Sequence, residues 1–182
     1  MAEEASIIDR LLEDHQQVRQ GFAKITAADS NERWDLFMDL MNDLVRHEVA
    51  EEEIVYPVVR QEIQGGEMLA AERVGEESKA EELMAGMEKR GRGDDRFTEN
   101  LGRLKADVLA HAEAEEATIF PALAATLSQD RLVQMGSKFT RAKMLAPTHP
   151  HPNAPDSPPG DMVVGPVAAV ADKLRDAIRK AT

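Results

Sequence analysis

At 182 residues the chain is long enough for one compact domain with an appendage, and its 42% hydrophobic content suffices for a buried core. Lysine and arginine number 22 against 34 aspartates and glutamates, and the resulting charge of −12 argues against binding a phosphate backbone, which needs clustered cations. The absence of cysteine excludes disulfides, thiolate zinc sites and iron–sulfur clusters, and leaves histidine and carboxylate as the strong side-chain metal ligands.

The opening MAEEASIIDRLLEDHQQ becomes charged too soon for the apolar stretch of a signal peptide, and nowhere do 18 apolar residues run together. A cytoplasmic protein without a membrane segment is expected. Helical periodicity dominates and predicts an all-α class. A first helix is expected from an N-cap at Ser6 to Ala27, with Ile8, Leu11, His15, Val18, Phe22 and Ile25 on one stripe. A second starts after Ser30 or Asn31 and lines up Phe37, Leu40, Leu44, His47, Glu51, Ile54 or Val55, and Val58, ending at Gly65-Gly66.

The third predicted helix, Glu67 to Lys89, is more polar, yet Val74, Glu77, Ala80, Met84 and Met87 keep the same spacing up to the glycines at 91 and 93. The fourth, Asp94 to Leu127, carries Phe97, Leu101, Leu104, Val108, His111, Glu115, Thr118 and Ala122 on its stripe. Pro57 and Pro121 each fall late in a helix and are expected to kink or end it. Four amphipathic helices with short connections predict an antiparallel four-helix bundle over residues 1–127. Residues 128–182 read as an extension: a short helix Gln129 to Leu145, a linker holding seven of the nine prolines, and a closing amphipathic helix Val167 to Lys180 that docks on the bundle or on a partner. His149 and His151 alternate with prolines there and read as surface residues.

One phrase occurs twice. His47-x-x-x-Glu51 is followed by Glu52 and Tyr56-Pro57, and His111-x-x-x-Glu115 by Glu116 and Phe120-Pro121. Histidine and glutamate four residues apart share a helix face, roughly 6 Å apart along the axis, close enough for one or two adjacent metal ions. A lone histidine on an apolar stripe is ordinarily a hydrogen-bonded core residue. Here His15, His47 and His111 lie on the inner stripes of three helices, with Glu51 and Glu115 one turn along, and burying unpaired carboxylates is costly. A cation inside the bundle removes that cost. Glu52 and Glu116, about 100° round the helix from their neighbours, read as solvated, and so does Glu48. Tyr56, nine positions after His47, falls nearly opposite and reads as packing unless a kink at Pro57 turns it inward. A ferritin-like site would use Glu-x-x-His, but the residues three before His47 and His111 are Leu44 and Val108.

Asp14-His15 followed by two His-x-x-x-Glu-Glu phrases leading to aromatic-Pro resembles the hemerythrin-like, HHE cation-binding family over about residues 6 to 125. The tail THPHPNAP resembles its actinobacterial members. The resemblance implies two iron ions, oxo- or hydroxo-bridged, inside a four-helix bundle and reacting with peroxide, dioxygen or nitric oxide. It assigns Glu51 and Glu115 as bridging carboxylates and His15, His47 and His111 as terminal imidazoles. The departure is the third helix, where the family has another histidine and this chain has none. Aligning His15-x-x-Val18-x-x-x-Phe22 with Glu77-x-x-Ala80-x-x-x-Met84 puts Glu77 in that slot, with Glu76 and Glu81 as neighbouring candidates. An anion in place of an imidazole lowers the charge of the centre and favours ferric iron. Catalase-like, peroxide-removing chemistry is therefore expected ahead of reversible oxygen carriage. The other readings are an oxygen- or nitric-oxide-binding sensor, an iron-handling protein, and a structural bundle that binds zinc or nothing.

Overall fold

The computed structural model describes residues 5–150, so the predicted helix Val167 to Lys180 and most of the proline-rich linker lie outside the described residues. The described chain is all α-helical. Its elements are α1 (Ile7–Ala27), α2 (Glu32–Ala50), a single π-helical turn (Glu51–Val55), α3 (Tyr56–Glu62), α4 (Gly66–Arg90), α5 (Phe97–Ala117), α6 (Ile119–Thr126) and α7 (Gln129–Leu145). Ser6 caps α1 as expected, its hydroxyl accepting from Asp9 N while Asp9 accepts from the Ser6 amide. Left-handed glycines at 65 and 91, φ 75° and 76°, flank α4 and let the chain reverse. Four rods result: α1, α2–α3, α4 and α5–α6. With short connections between them they run antiparallel. Among the described residues, no helix is long and apolar enough to cross a membrane.

Both proline-bearing helices depart from the regular path just before their proline. Pro57 has no N–H to give to the carbonyl of Glu53, and its ring would collide with that carbonyl. The π turn over Glu51–Val55 accommodates it with wider loops of the chain. Ahead of Pro121 the break falls at Thr118 (φ −122°, ψ −58°), whose amide is shared between the carbonyls of Ala114 and Glu115 at 3.0 and 3.2 Å. Each irregularity rotates the downstream helix by about one residue. Val55, Tyr56 and Val59 are buried, while Ile54 and Val58 are only partly so. Likewise Ile119, Phe120 and Leu123 are buried, whereas Thr118 is exposed and Ala122 half-buried. The expected inner positions Val58, Thr118 and Ala122 are corrected accordingly, as is Ile8, whose place in the core is taken by Ile7.

The apolar core has two parts, and the polar inner residues fall at or beside their junction on the four rods. On α1, Leu11 belongs to one cluster and Val18 to the other, with His15 between. On α4, Val74 and Ala80 bracket Glu77, and along α5–α6 Val108 and Ile119 bracket His111 and Glu115. Helix α7, over the same span as expected, packs on α1 and α2 and gives Leu132, Met135, Phe139 and Ala142 to the first cluster. Its seat is set by Gly136, where an added Cβ would stand 2.5 Å from the Ala5 carbonyl oxygen and 2.9 Å from Ser6 C. Gly136→Ala must push α7 off the start of α1, and the expected cost is about 1–3 kcal/mol of stability, read as a lower urea midpoint. An unchanged midpoint would mean that α7 does not rest on this contact.

Candidate metal centre

The six inner polar residues come from five stretches of helix: His15 from α1, His47 from the end of α2, Glu51 from the π turn, Glu77 from α4, and His111 with Glu115 from α5. Glu51 and Glu115 are 0% exposed, and the others are buried or nearly so. Two sets of ligand atoms converge. One atom each from His15, His47, Glu51 and Glu115 lie within 4.8 Å of one another, and the same holds for Glu51, Glu77 and His111. Glu51 is common to both sets, so the two sets adjoin at its carboxylate.

The three imidazoles are oriented alike. Each directs Nδ1 outward to a carboxylate that can only accept: His15 to Glu116 at 2.8 Å, His47 to Asp14 at 2.9 Å and His111 to Glu76 at 3.0 Å. With the proton on Nδ1, the Nε2 lone pair of each ring points into the centre, the orientation that ligating histidines adopt. Those lone pairs meet oxygens that are also acceptors. His47 Nε2 is 3.0 Å from Glu51 Oε2; His15 and His111 Nε2 are each 3.4 Å from Glu115 Oε2; and His111 Nε2 is 3.6 Å from Glu77 Oε1. His47 Nε2, His111 Nε2, both Glu51 oxygens, Glu77 Oε2 and Glu115 Oε2 are buried with no hydrogen-bond partner. Buried polar atoms are seldom left so, and a donor set of imidazole nitrogen and carboxylate oxygen suits iron, zinc or manganese. The residues therefore fit a metal centre.

The charges of the same groups act strongly on one another where no cation offsets them. Burial opposes charge on His47, but the adjacent Glu51 carboxylate and the bond to Asp14 outweigh it and push the imidazole up to about 10. His111 is raised in the same way, mainly through Glu115. Burial, and then the charges of Glu51, Glu48 and Glu52, lift the Glu77 carboxyl well above the usual range. Glu115 is held below that range despite its burial, because the imidazoles of His111 and His15 both stand against it. An excess of buried negative charge takes up protons where no metal ion offsets it.

Tyr56 belongs to the centre, contrary to the packing role expected for it. Its hydroxyl donates to Glu77 Oε1 and lies 3.0 Å from Glu115 Oε1, and burial followed by the neighbouring carboxylates pushes the phenol well above its usual value. The π turn carries the ring from the far side of the helix to the inside. The signal in the sequence was Pro57 itself, which forces an irregularity upstream. In the other copy of the phrase, Phe120 stacks on His15 with ring centroids 5.5 Å apart.

Four carboxylates read as solvated or secondary take part around the centre. Glu48 is buried with Oε2 unpartnered, and burial together with Glu81 pushes its carboxyl well above the usual range. Glu116 is partly buried and holds His15. Glu76 holds His111, while Glu77 is the third-helix carboxylate that joins a converging set. Glu81 acts on Glu48 through its charge and is in neither converging set. His149, bonded to Glu88 at 2.8 Å, is exposed and apart from the site, and His151 lies outside the described residues.

Fold and site together define a helical metal-binding protein with a His/Glu cluster at its middle. The chain belongs to the hemerythrin family: residues 6–123 match the hemerythrin HHE cation-binding domain. It is 32% identical over 179 residues to an uncharacterised hemerythrin-like protein of Schizosaccharomyces pombe, a match covering 96% of this chain and 87% of the relative. It is 28% identical over 142 residues, 78% of this chain, to a DNA nickase of Nostoc sp., of which the match spans 40%. No solved structure matches the chain at a significant level.

The raised groups set a sign for the metal-free protein. The unfolded chain releases the His47 proton near 6.5, and the folded chain holds it to about 10, so this contribution is complete below about 6.5 and is lost as pH climbs to about 10. Glu77 and Glu48, also raised, act in the same direction from about 4.5 upward, while the lowered Glu115 acts only in acid. The thermal midpoint of metal-free protein should fall between pH 6.5 and 10. A flat profile over that range would contradict the convergence of these groups.

Proposed function

We propose that the chain is a cytoplasmic non-haem di-iron protein whose centre reacts with peroxide or dioxygen, by catalase-like or related peroxide-removing chemistry. The observation that carries this reading is the third buried carboxylate. Glu77 joins Glu51 and Glu115 where the family resemblance led one to expect an imidazole. Two divalent ions bring four positive charges, of which the three carboxylates offset three and a single hydroxide the last. A neutral centre in a poorly solvated interior favours the extra positive charge of oxidised metal, which suits peroxide chemistry better than reversible oxygen carriage. Iron would supply the change between divalent and trivalent states.

The residues divide the work. His15, His47, Glu51 and Glu115 would hold one ion, and Glu51, Glu77 and His111 the other. A bridging role for Glu115 is supported by its Oε2, equidistant at 3.4 Å from imidazoles of both sets. Tyr56 keeps a proton between Glu77 and Glu115, carboxylates of different sets, where a reduced oxygen species needs one. Beside the centre lies a cavity with about 20 Å³ of space for the centre of a water-sized molecule, walled by Val18, Leu44, Ala80, Val108 and Ala112 together with His15, His47, His111, Glu48 and Glu77. That is room for about one water, which suits peroxide, dioxygen or nitric oxide and excludes larger reactants.

A small-molecule reactant, with neither nucleic acid nor membrane as partner, is the reading supported by this cavity and by the charge of −12. The DNA-nicking relative is matched over less than half its length and does not outweigh them.

Freshly purified protein should carry two irons per chain with ferric absorption in the near ultraviolet, and should evolve oxygen from peroxide over many turnovers. His47→Ala and His111→Ala should each lower the iron content, and retention of both irons in both variants would overturn the ligand assignment. Glu77→His should slow oxygen evolution and make oxygen uptake reversible on deoxygenation. If that variant is as rapidly oxidised as the parent, the charge argument fails. Oxygen uptake that is reversible in the parent would indicate a carrier or sensor, and freely exchanging metal an iron-handling protein.

A further inference from the structure

The carboxylates that hold the three imidazoles are themselves held, each by one cation. Glu116 Oε1, which accepts from His15, also accepts from Arg19 Nη2 at 2.9 Å. Asp14 Oδ2, which accepts from His47, also accepts from Lys143 Nζ at 2.6 Å. Glu76 accepts from His111 through Oε2, and its Oε1 lies 3.0 Å from Arg73 Nη2. Cation, carboxylate and imidazole thus form the same chain three times around the centre.

We propose that Arg19, Arg73 and Lys143 are positioning residues that clamp these carboxylates so that each Nε2 faces the metal, and that Lys143 makes α7 a working part of the centre. This rests on the reading that the centre holds two metal ions. The chemistry comes from the charge-assisted bonds. A carboxylate bonded only to an imidazole can rotate to water, whereas one that a cation also holds, at the same oxygen in Glu116 and Asp14 and at the other oxygen in Glu76, keeps the ring in a single orientation. The clamp matters most at His47. Asp14 lines a cavity of about 340 Å³, with Gln17, Asp39, Asp43 and Lys24 among its walls, so water is at hand to draw it away. Lys143 lines that cavity, and Phe139, one turn earlier on α7, meets the His47 ring nearly at right angles at 5.7 Å between centroids. Both residues lie beyond the 6–123 span that matches the family domain.

The sets of ligands make the idea selective. His15 and His47 belong to one set and His111 to the other, so Lys143 and Arg73 act on different ions. Full-length protein loaded with cobalt(II) and challenged with a chelator reads both. In Lys143→Met, which keeps the apolar stem, one equivalent should leave about tenfold faster and the other at the parental rate, the loss expected when a ligand's outer partner is weakened. Lys143→Arg should restore the slow rate, and Arg73→Met should release the other equivalent. In metal-free Lys143→Met, the His47 Nδ1 proton should exchange with water faster than in the parent, read by nuclear magnetic resonance. Parental release of both equivalents with unchanged proton exchange overturns the proposal. So does equal acceleration of both with a lowered thermal midpoint, since that marks Lys143 as a structural tie alone. If the parent itself retains no pair of cobalt ions, the two-metal reading fails, and the His47 proton still decides the positioning role.

Discussion

The structure depends on lone pairs that face one another inside a low-dielectric core. Imidazole nitrogens from three helices point at carboxylate oxygens, none of which can donate a hydrogen bond when ionised, over distances of 3.0 to 3.6 Å. Such an arrangement is repulsive unless a proton or a metal ion lies within it. Everything about the fold that positions these groups serves to keep them there.

Two apolar clusters do most of that work. They flank the polar layer along the four rods, so that a shift of the ligands along the bundle axis must unpack leucine, valine or phenylalanine on one side or the other. The outer carboxylates close the arrangement laterally by fixing the ring tautomers. The result is a centre held by packing along the bundle axis and by charge around it.

The prolines, which look like simple helix breakers, have a more particular effect. The π turn ahead of Pro57 begins at Glu51, so the turn of chain that presents a shared carboxylate is the one whose register is altered. One extra residue in that turn brings Tyr56 inward to Glu77 and Glu115. The break at Thr118 brings Phe120 onto His15 at the corresponding place in the other copy. Repeated phrases thus produce different partners, a hydroxyl in one and an aromatic face in the other.

The sequence by itself determined the four rods, their inner stripes as far as the proline breaks and the inward side of the six residues that converge, because a period of 3.6 and the cost of burying carboxylates act within one helix and need no knowledge of its neighbours. It also marked Glu77, since the register of the third helix is readable from its valine, alanine and methionine spacing. The tertiary structure alone decided the inward turn of Tyr56, the burial of Glu48, and the pairing of Asp14, Glu116 and Glu76 with particular imidazoles and cations. Apart from the local pairs Arg73–Glu76, those pairings join residues 33 to 129 positions apart, and at Pro57 a local irregularity turns the face on which every later residue falls. Periodicity says which side of a helix looks inward, and only packing says what it meets there.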